Sequence, residues 1–157
     1  MWLAIQSGVR EPLDAMTLLS FDIPENCQWG VFLRNHDEIA LSTLSPEERR
    51  RVVNFLDPEQ KYLFNKGEAT SVRIANVFDG DKKRILDALG LLYASPGAPV
   101  MYYGDEIGMR NLPVQESVID SRRYVRGTFS WQAADAQAAD PDSLLNQVAK
   151  IIRKDKL

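Results

Sequence analysis

Asn35, His36 and Asp37 stand together directly after the apolar run Val31-Phe32-Leu33-Arg34, and His36 is the only histidine in the chain. An imidazole and a carboxylate side by side at the tip of a strand suit adjacent hydroxyl groups, which they hold through charge-assisted hydrogen bonds. The same carboxylate is placed to stabilise positive charge developing at a sugar carbon. Three short polar residues after a strand also serve humbler ends, with His36 capping a loop and Asp37 holding a local turn. A second polar pair, Asp105-Glu106, follows the run Pro99-Val100-Met101-Tyr102-Tyr103-Gly104. Two adjacent carboxylates on an extended chain point in different directions, so a structural task at a rim, receiving N–H groups or an arginine, fits them better than acid/base work. Alternation likewise lets only one of Tyr102 and Tyr103 face a ligand, with the other in the core.

The third cluster is Arg122, Arg123 and Arg126 with Tyr124, Phe129 and Trp131. Arginines interleaved with aromatics suit single-stranded nucleic acid. Here Glu116 and Asp120 offset part of the charge, and 19 basic side chains against 22 acidic ones leave the chain at −3. Arg126 and its neighbours therefore read as braces between a loop and rim carboxylates, with Trp131 as an anchor, and no nucleic-acid partner is expected. One histidine and one cysteine, Cys27, are too few for a zinc site. Gly8-Val9-Arg10-Glu11-Pro12 and Ser95-Pro96-Gly97-Ala98-Pro99-Val100 are not phosphate loops. No metal and no cofactor is expected.

The elements that must position these residues follow from periodicity and punctuation. Leu13, Met16 and Leu19 or Ser20 share a face over residues 10–20, predicting a short helix. Pro24, Asn26 and Gly30 then mark a connection to a strand over 31–34. Ser45, Pro46 and Glu48 form a helix start with the spacing of a capping box, and Val52, Val53 and Leu56 give that helix its apolar side. Residues 57–80 read as a long excursion with turns at Asp57-Pro58 and Asn65-Lys66-Gly67. Ile85, Ala88, Leu89 and Leu92 predict a second helix over 81–94, stopped by Ser95-Pro96-Gly97, before a buried strand over 98–104. Residues 110–139 read as an irregular loop. A last helix begins near Asp140-Pro141, carries Leu144, Leu145, Val148, Ile151 and Ile152, and ends among Arg153, Lys154 and Lys156, where cations suit the dipole. Strand, helix, strand with polar residues past each strand is the grammar of an α/β protein.

With 157 residues and 45% hydrophobic composition the chain has enough apolar side chains for a core. It falls short of the roughly 250 residues of a full (β/α)8 barrel. One cysteine forms no intrachain disulfide and fits a reducing, cytoplasmic setting. No apolar run reaches a membrane span, and the opening Met1–Leu13 lacks the basic n-region and cleavage site of a signal peptide.

Together, these segments resemble the α-amylase superfamily of glycoside hydrolases, with the look of its trehalose synthase and maltose glucosyltransferase branch, near the α-glucosidases. The matching pieces are residues 32–38, 44–53, 86–109, 125–131 and 140–154. The pairing of Asn-His-Asp-Glu at 35–38 with Pro-Gly-Ala-Pro-Val-Met-Tyr-Tyr-Gly-Asp-Glu-Ile-Gly at 96–108 is the specific part. The resemblance implies that residues 1–157 are the C-terminal segment of a catalytic barrel: an α/β fold, an incomplete (β/α)8 TIM barrel holding its last two strands. Asp37 would be the catalytic transition-state stabiliser, His36 and Asn35 substrate-binding residues, and Asp105, Glu106 and Arg126 structural residues of the rim. The implied function is part of a retaining glycosidase or glucosyltransferase acting on α-glucosidic bonds of maltose-, trehalose- or malto-oligosaccharide-like substrates. The nucleophile and acid/base of that mechanism match no motif in this sequence, so the isolated chain is expected to be inactive. The middle of Val125-Arg126-Gly127-Thr128-Phe129-Ser130-Trp131 departs from the family pattern, which weakens any choice of substrate. The alternative is a non-catalytic structural or sugar-binding piece that needs a complementary chain. A small saccharide is the expected partner. Two strands leave unpaired edges, so self-association or a complementary barrel chain is expected as well.

Overall fold

A computed structural model of the chain describes residues 1–19, 23–115 and 120–154. Its element order is α1 (Trp2–Ser7), α2 (Glu11–Leu19), β1 (Gly30–Val31), α3 (Pro46–Leu56), β2 (Leu63–Phe64), β3 (Ala69–Thr70), α4 (Ile74–Val77), α5 (Lys82–Tyr93), β4 (Ala98–Pro99), α6 (Trp131–Ala138) and α7 (Leu144–Lys154). Short 3-10 turns occupy Asp105–Ile107 and Ser121–Val125.

The start of α3 has the chemistry its sequence promises. Ser45 Oγ accepts the Glu48 N–H at 3.3 Å, and the Glu48 carboxylate accepts the Ser45 N–H at 2.9 Å. Two otherwise orphaned donors are satisfied this way, a device worth about 1 kcal/mol. Asp81 caps α5 through the Arg84 N–H at 3.1 Å. Helix α3 buries Val52, Val53 and Leu56; α5 buries Ile85, Ala88, Leu89 and Leu92. These faces share one core with Trp2, Leu33, Val72, Ile74, Phe78, Leu144 and Val148. Each fully buried leucine or isoleucine contributes roughly 1.5–3 kcal/mol. Helix α1 packs on α3, and α7 lies along α5. The indole of Trp2 donates to the Leu33 carbonyl at 2.6 Å, tying α1 to the segment that precedes Asn35.

Strands β1 and β4 pair in parallel, Gly30 with Ala98 and Val31 with Pro99. Gly97, at φ +120°, makes the approach possible: a Cβ there would lie 2.6 Å from the Trp29 carbonyl oxygen. The crossover order expected from the sequence is thus present, but the barrel segment is not. Among the described residues the architecture is mainly α-helical, with two open two-stranded sheets, β1-β4 and the antiparallel β2-β3. The expected strands over 31–34 and 98–104 shrink to two residues each. A parallel ladder needs neighbours on both sides to be held, and here each strand has one. The expectation of an α/β, incomplete (β/α)8 TIM barrel is therefore corrected to a helical fold carrying two minimal sheets.

Other boundaries moved as well. Residues 57–80 fold into the β2-β3 hairpin and α4, with Asn65, Lys66 and Gly67 all at positive φ in its turn. Part of the expected loop over 110–139 is helix α6, opened by Ser130 Oγ accepting the Ala133 N–H. The last helix starts at Leu144, three residues past Pro141, where Ser143 Oγ accepts the Asn146 N–H at 3.2 Å. Ser20, Glu116 and Lys156, which entered the sequence reading, lie outside the described residues.

Candidate functional site

The chain leaving Leu33 and Arg34 turns sharply at Asn35, whose side-chain oxygen accepts the Asp37 N–H at 2.8 Å. This turn sets Asp37 and His36 side by side, His36 Nε2 lying 3.2 Å from Asp37 Oδ2. From the other side Arg126 closes on both residues. Its Nη2 donates to Asp37 Oδ1 at 2.8 Å and its Nε to the His36 carbonyl at 2.9 Å. Arg122 stands 3.8 Å from Asp37 and 3.9 Å from Glu38, and its fork grips Asp120 at 2.9 Å. Hydrogen bonds from Arg122 hold the Asp120 carboxyl below the usual aspartate range. The Asp37 side chain remains 39% exposed and that of His36 65% exposed, so both keep faces open to a ligand. A carboxylate has about four acceptor positions; Arg126 and His36 leave part of that capacity free.

A second, buried cluster holds the brace in place. Arg73 is fully buried. It donates to the Val125 carbonyl from Nη2 at 2.7 Å and from Nε at 3.1 Å, and to the Tyr103 carbonyl at 2.8 Å. Its Nη1 also lies 3.3 Å from Asp105 Oδ1. Because Val125 precedes Arg126, this hub fixes the backbone from which Arg126 reaches Asp37. Burial pushes the Asp105 carboxyl up to about 7, against the pull of Arg34 and Arg73. Burial also drives the Arg34 guanidinium down to about 10. Tyr102 lies between the two arginines, 4.5 Å from Arg34 and 4.9 Å from Arg73. Tyr103 is partly exposed and donates its hydroxyl to the Gly127 carbonyl at 2.6 Å.

The structure thus brings Asn35, His36, Asp37 and Arg126 together and sets Asp105 apart in the buried hub. Glu106 is half-buried, and its Oε2 finds no hydrogen-bond partner. Two members of the arrangement, Arg34 and Arg73, escaped the sequence reading. Their signal was an arginine closing the apolar run Val31–Leu33 in one case and standing between Val72 and Ile74 in the other. Such a charge is buried only when its surroundings are built for it.

Three cavities bear on function. One of about 440 Å³ runs beside β1 and is lined by Arg34, Asn35 and Glu38 among apolar residues. One of about 340 Å³ lies between α1, α3 and α5, away from Asp37. One of about 460 Å³ sits under the β2-β3 hairpin, near Asp57 and Arg110. Among the described residues no three His, Cys, Asp or Glu side chains are grouped to hold a metal ion. Among them, too, no helix is long and apolar enough to cross a membrane.

No protein-family model matches the chain. Individual proteins do. The chain is 35% identical over 130 residues to a trehalose synthase of Thermus thermophilus, a match covering 83% of this chain and 13% of that protein. It is 35% identical over 130 residues to a trehalose synthase/amylase of Mycolicibacterium smegmatis, covering 83% and 21%. A 4-alpha-glucanotransferase of Thermotoga maritima is 30% identical over 94 residues, 47% of this chain and 21% of that protein. The chain therefore spans 13–21% of the length of the first curated relatives it matches. The fold corrects the expectation of a working share in a retaining glycosidase or glucosyltransferase. The β/α barrel that such catalysis is built on is missing among the described residues. What the two findings support together is a sequence relationship to a segment of trehalose synthases, carried on described residues that form no catalytic barrel.

Proposed function

We propose that this chain is a non-catalytic, saccharide-binding segment of a carbohydrate-active protein, completed by a complementary polypeptide. The observation that carries the reading is the half-exposed Asp37 carboxylate, braced by Arg126 and flanked by His36. Such a group accepts hydrogen bonds from neighbouring hydroxyls of a sugar, while His36 and Asn35 offer further polar contacts on one rim. The relatives' names point to α-linked glucose disaccharides as the ligand class, and to a longer parent protein that is an enzyme. Residues 1–157 then act as one part of a larger domain. Asp105 keeps a structural part through the buried hub and Arg126 through the brace on Asp37, while Glu106 joins neither.

Titration of the isotope-labelled chain with maltose and with trehalose, followed by backbone amide shifts, tests this. Saturating shifts are expected at residues 35–38 and 122–126, with a dissociation constant on the order of 1 mM for a shallow polar site. Asp37→Asn is expected to weaken the binding about tenfold by removing charge-assisted bonds. Shifts that never saturate, or that map elsewhere, would overturn the saccharide assignment.

A further inference from the structure

We infer that the outer edge of β1 is a docking site for an extended polypeptide strand that presents a carboxylate side chain to Arg34. The inference rests on the proposed need for a complementary polypeptide and says where and how that polypeptide sits.

The two edges of the β1-β4 sheet are not equivalent. Ala98 N donates to the Trp29 carbonyl at 2.8 Å and Val100 N to the Val31 carbonyl at 2.7 Å. Backbone groups alternate along a strand, so the main chain of Gly30 and Phe32 faces away from β4. On β4 the residue facing outward is Pro99, which has no N–H to donate. Proline on an edge blocks pairing, so β4 is closed to a third strand and β1 is open. The cavity of about 440 Å³ lies along this open side: Gly30, Val31 and Leu33 line it with Trp2, Leu41 and Leu44, and no residue of β4 does. Phe32 and Trp29 are exposed beside it.

Arg34 supplies the charge complementarity. It lines the same cavity, is 2% exposed, and none of its three guanidinium nitrogens has a hydrogen-bond partner among the described residues. Asp105 is bonded to Arg73 rather than to Arg34. A planar fork of donors is matched best by a carboxylate. An added strand would take its main-chain bonds from Gly30 and Phe32, bury apolar side chains in the cavity and carry an aspartate or glutamate to Arg34, the mode known as β-augmentation.

The test uses the full chain and a synthetic capped peptide, Thr-Val-Thr-Glu-Val-Thr-Val, with counterparts carrying Gln or Lys in place of Glu. Binding is read from Trp2 and Trp29 fluorescence. Saturable binding is expected, favouring the Glu peptide over the Gln peptide by about tenfold, the size of one charge-assisted bond. Arg34→Met is expected to abolish that preference and leave the weaker binding common to all three peptides. Phe32→Pro removes one edge donor and is expected to abolish binding of all three. N-methylating the peptide backbone blocks the same pairing without touching the protein, so a folding defect in Phe32→Pro would not obscure the outcome. Equal binding of the Glu and Lys peptides overturns the inference, as does an N-methylated peptide that binds undiminished. Concentration-dependent dimerisation lost in Phe32→Pro, without peptide binding, assigns the edge to a second copy and overturns the proposed partner. Failure of the peptide with saccharide binding intact sinks the docking edge alone. Absence of saccharide binding with the peptide bound sinks the saccharide reading alone.

Discussion

Replacing Arg34 by methionine is expected to stabilise the isolated chain. A buried arginine is ordinarily expensive to remove, because its loss strands a partner charge. Here, among the described residues, no hydrogen-bond partner is stranded, since Nε, Nη1 and Nη2 are all without one and Asp105 keeps its bond to Arg73. The fall of the guanidinium from its ordinary range to about 10 under burial corresponds to roughly 3 kcal/mol against the charged form. Methionine keeps the apolar stem and gives up the stacking on the Tyr102 ring at 4.5 Å, worth about 1–2 kcal/mol when desolvated. The net expectation is a gain of about 1–2 kcal/mol, within the range seen when buried charges give way to apolar residues. Because the folded chain binds this proton less tightly than the unfolded chain does, the penalty is complete below about pH 10. It is relieved as pH rises from there into the ordinary guanidinium range. The advantage of Arg34→Met should accordingly be level through neutral pH and shrink in strong alkali. Urea unfolding followed by tryptophan fluorescence measures it, and the melting temperature should rise by about 2–4 °C per kcal/mol for a chain of this size. A loss of stability of 1 kcal/mol or more by about the same scale would show that Arg34 has a partner in solution and would refute the reasoning.

The neighbouring arginine should behave in the opposite way. Arg73→Met strands Asp105 and the carbonyls of Tyr103 and Val125, so a loss of about 3–5 kcal/mol is expected in the same assay; a loss below 1 kcal/mol, on the scale of an exposed pair, would contradict the hub. Asp105 contributes a pH dependence of definite sign. Burial raises its carboxyl to about 7, so the folded state holds a proton that the unfolded state releases near 3.8. Its contribution is complete below about pH 4 and is lost as pH rises through 7. Urea midpoints at pH 5 and pH 8 should differ less in Asp105→Asn than in the unaltered chain, and an unchanged difference would remove Asp105 as the cause.

Local structure was legible in the sequence where short-range chemistry decides it. Ser45, Pro46 and Glu48 announce the start of α3, and the spacing of Ile85, Leu89 and Leu92 announces the buried face of α5; both are as read. The turn at Asn65-Lys66-Gly67 was equally plain. The strands were not, because a buried parallel strand is stabilised by neighbours that its own residues do not encode. Val31–Arg34 and Ala98–Gly104 have the composition of strands and the partners of almost none, so pairing stops after two residues. Helix α6 was missed because Trp131–Ala138 has little apolar periodicity and buries none of its residues fully. At the site, an arginine bracing a carboxylate was anticipated and Arg126 meets Asp37, whereas Asn35-His36-Asp37 stand beyond the end of β1 at Val31 rather than at a strand tip. The hub of Arg73 and Asp105 could not be read, since it joins residues 32 positions apart and its charge sits between Val72 and Ile74.

The proposed function has a saccharide held at Asp37 and not turned over. Glucose release from maltose, from trehalose and from a 4-nitrophenyl α-glucoside, followed over a long incubation with the purified chain, tests it most directly. The account predicts release no faster than in buffer for all three, with Asp37→Asn indistinguishable from the unaltered chain. Steady release that scales with the chain's concentration and disappears in Asp37→Asn would contradict it.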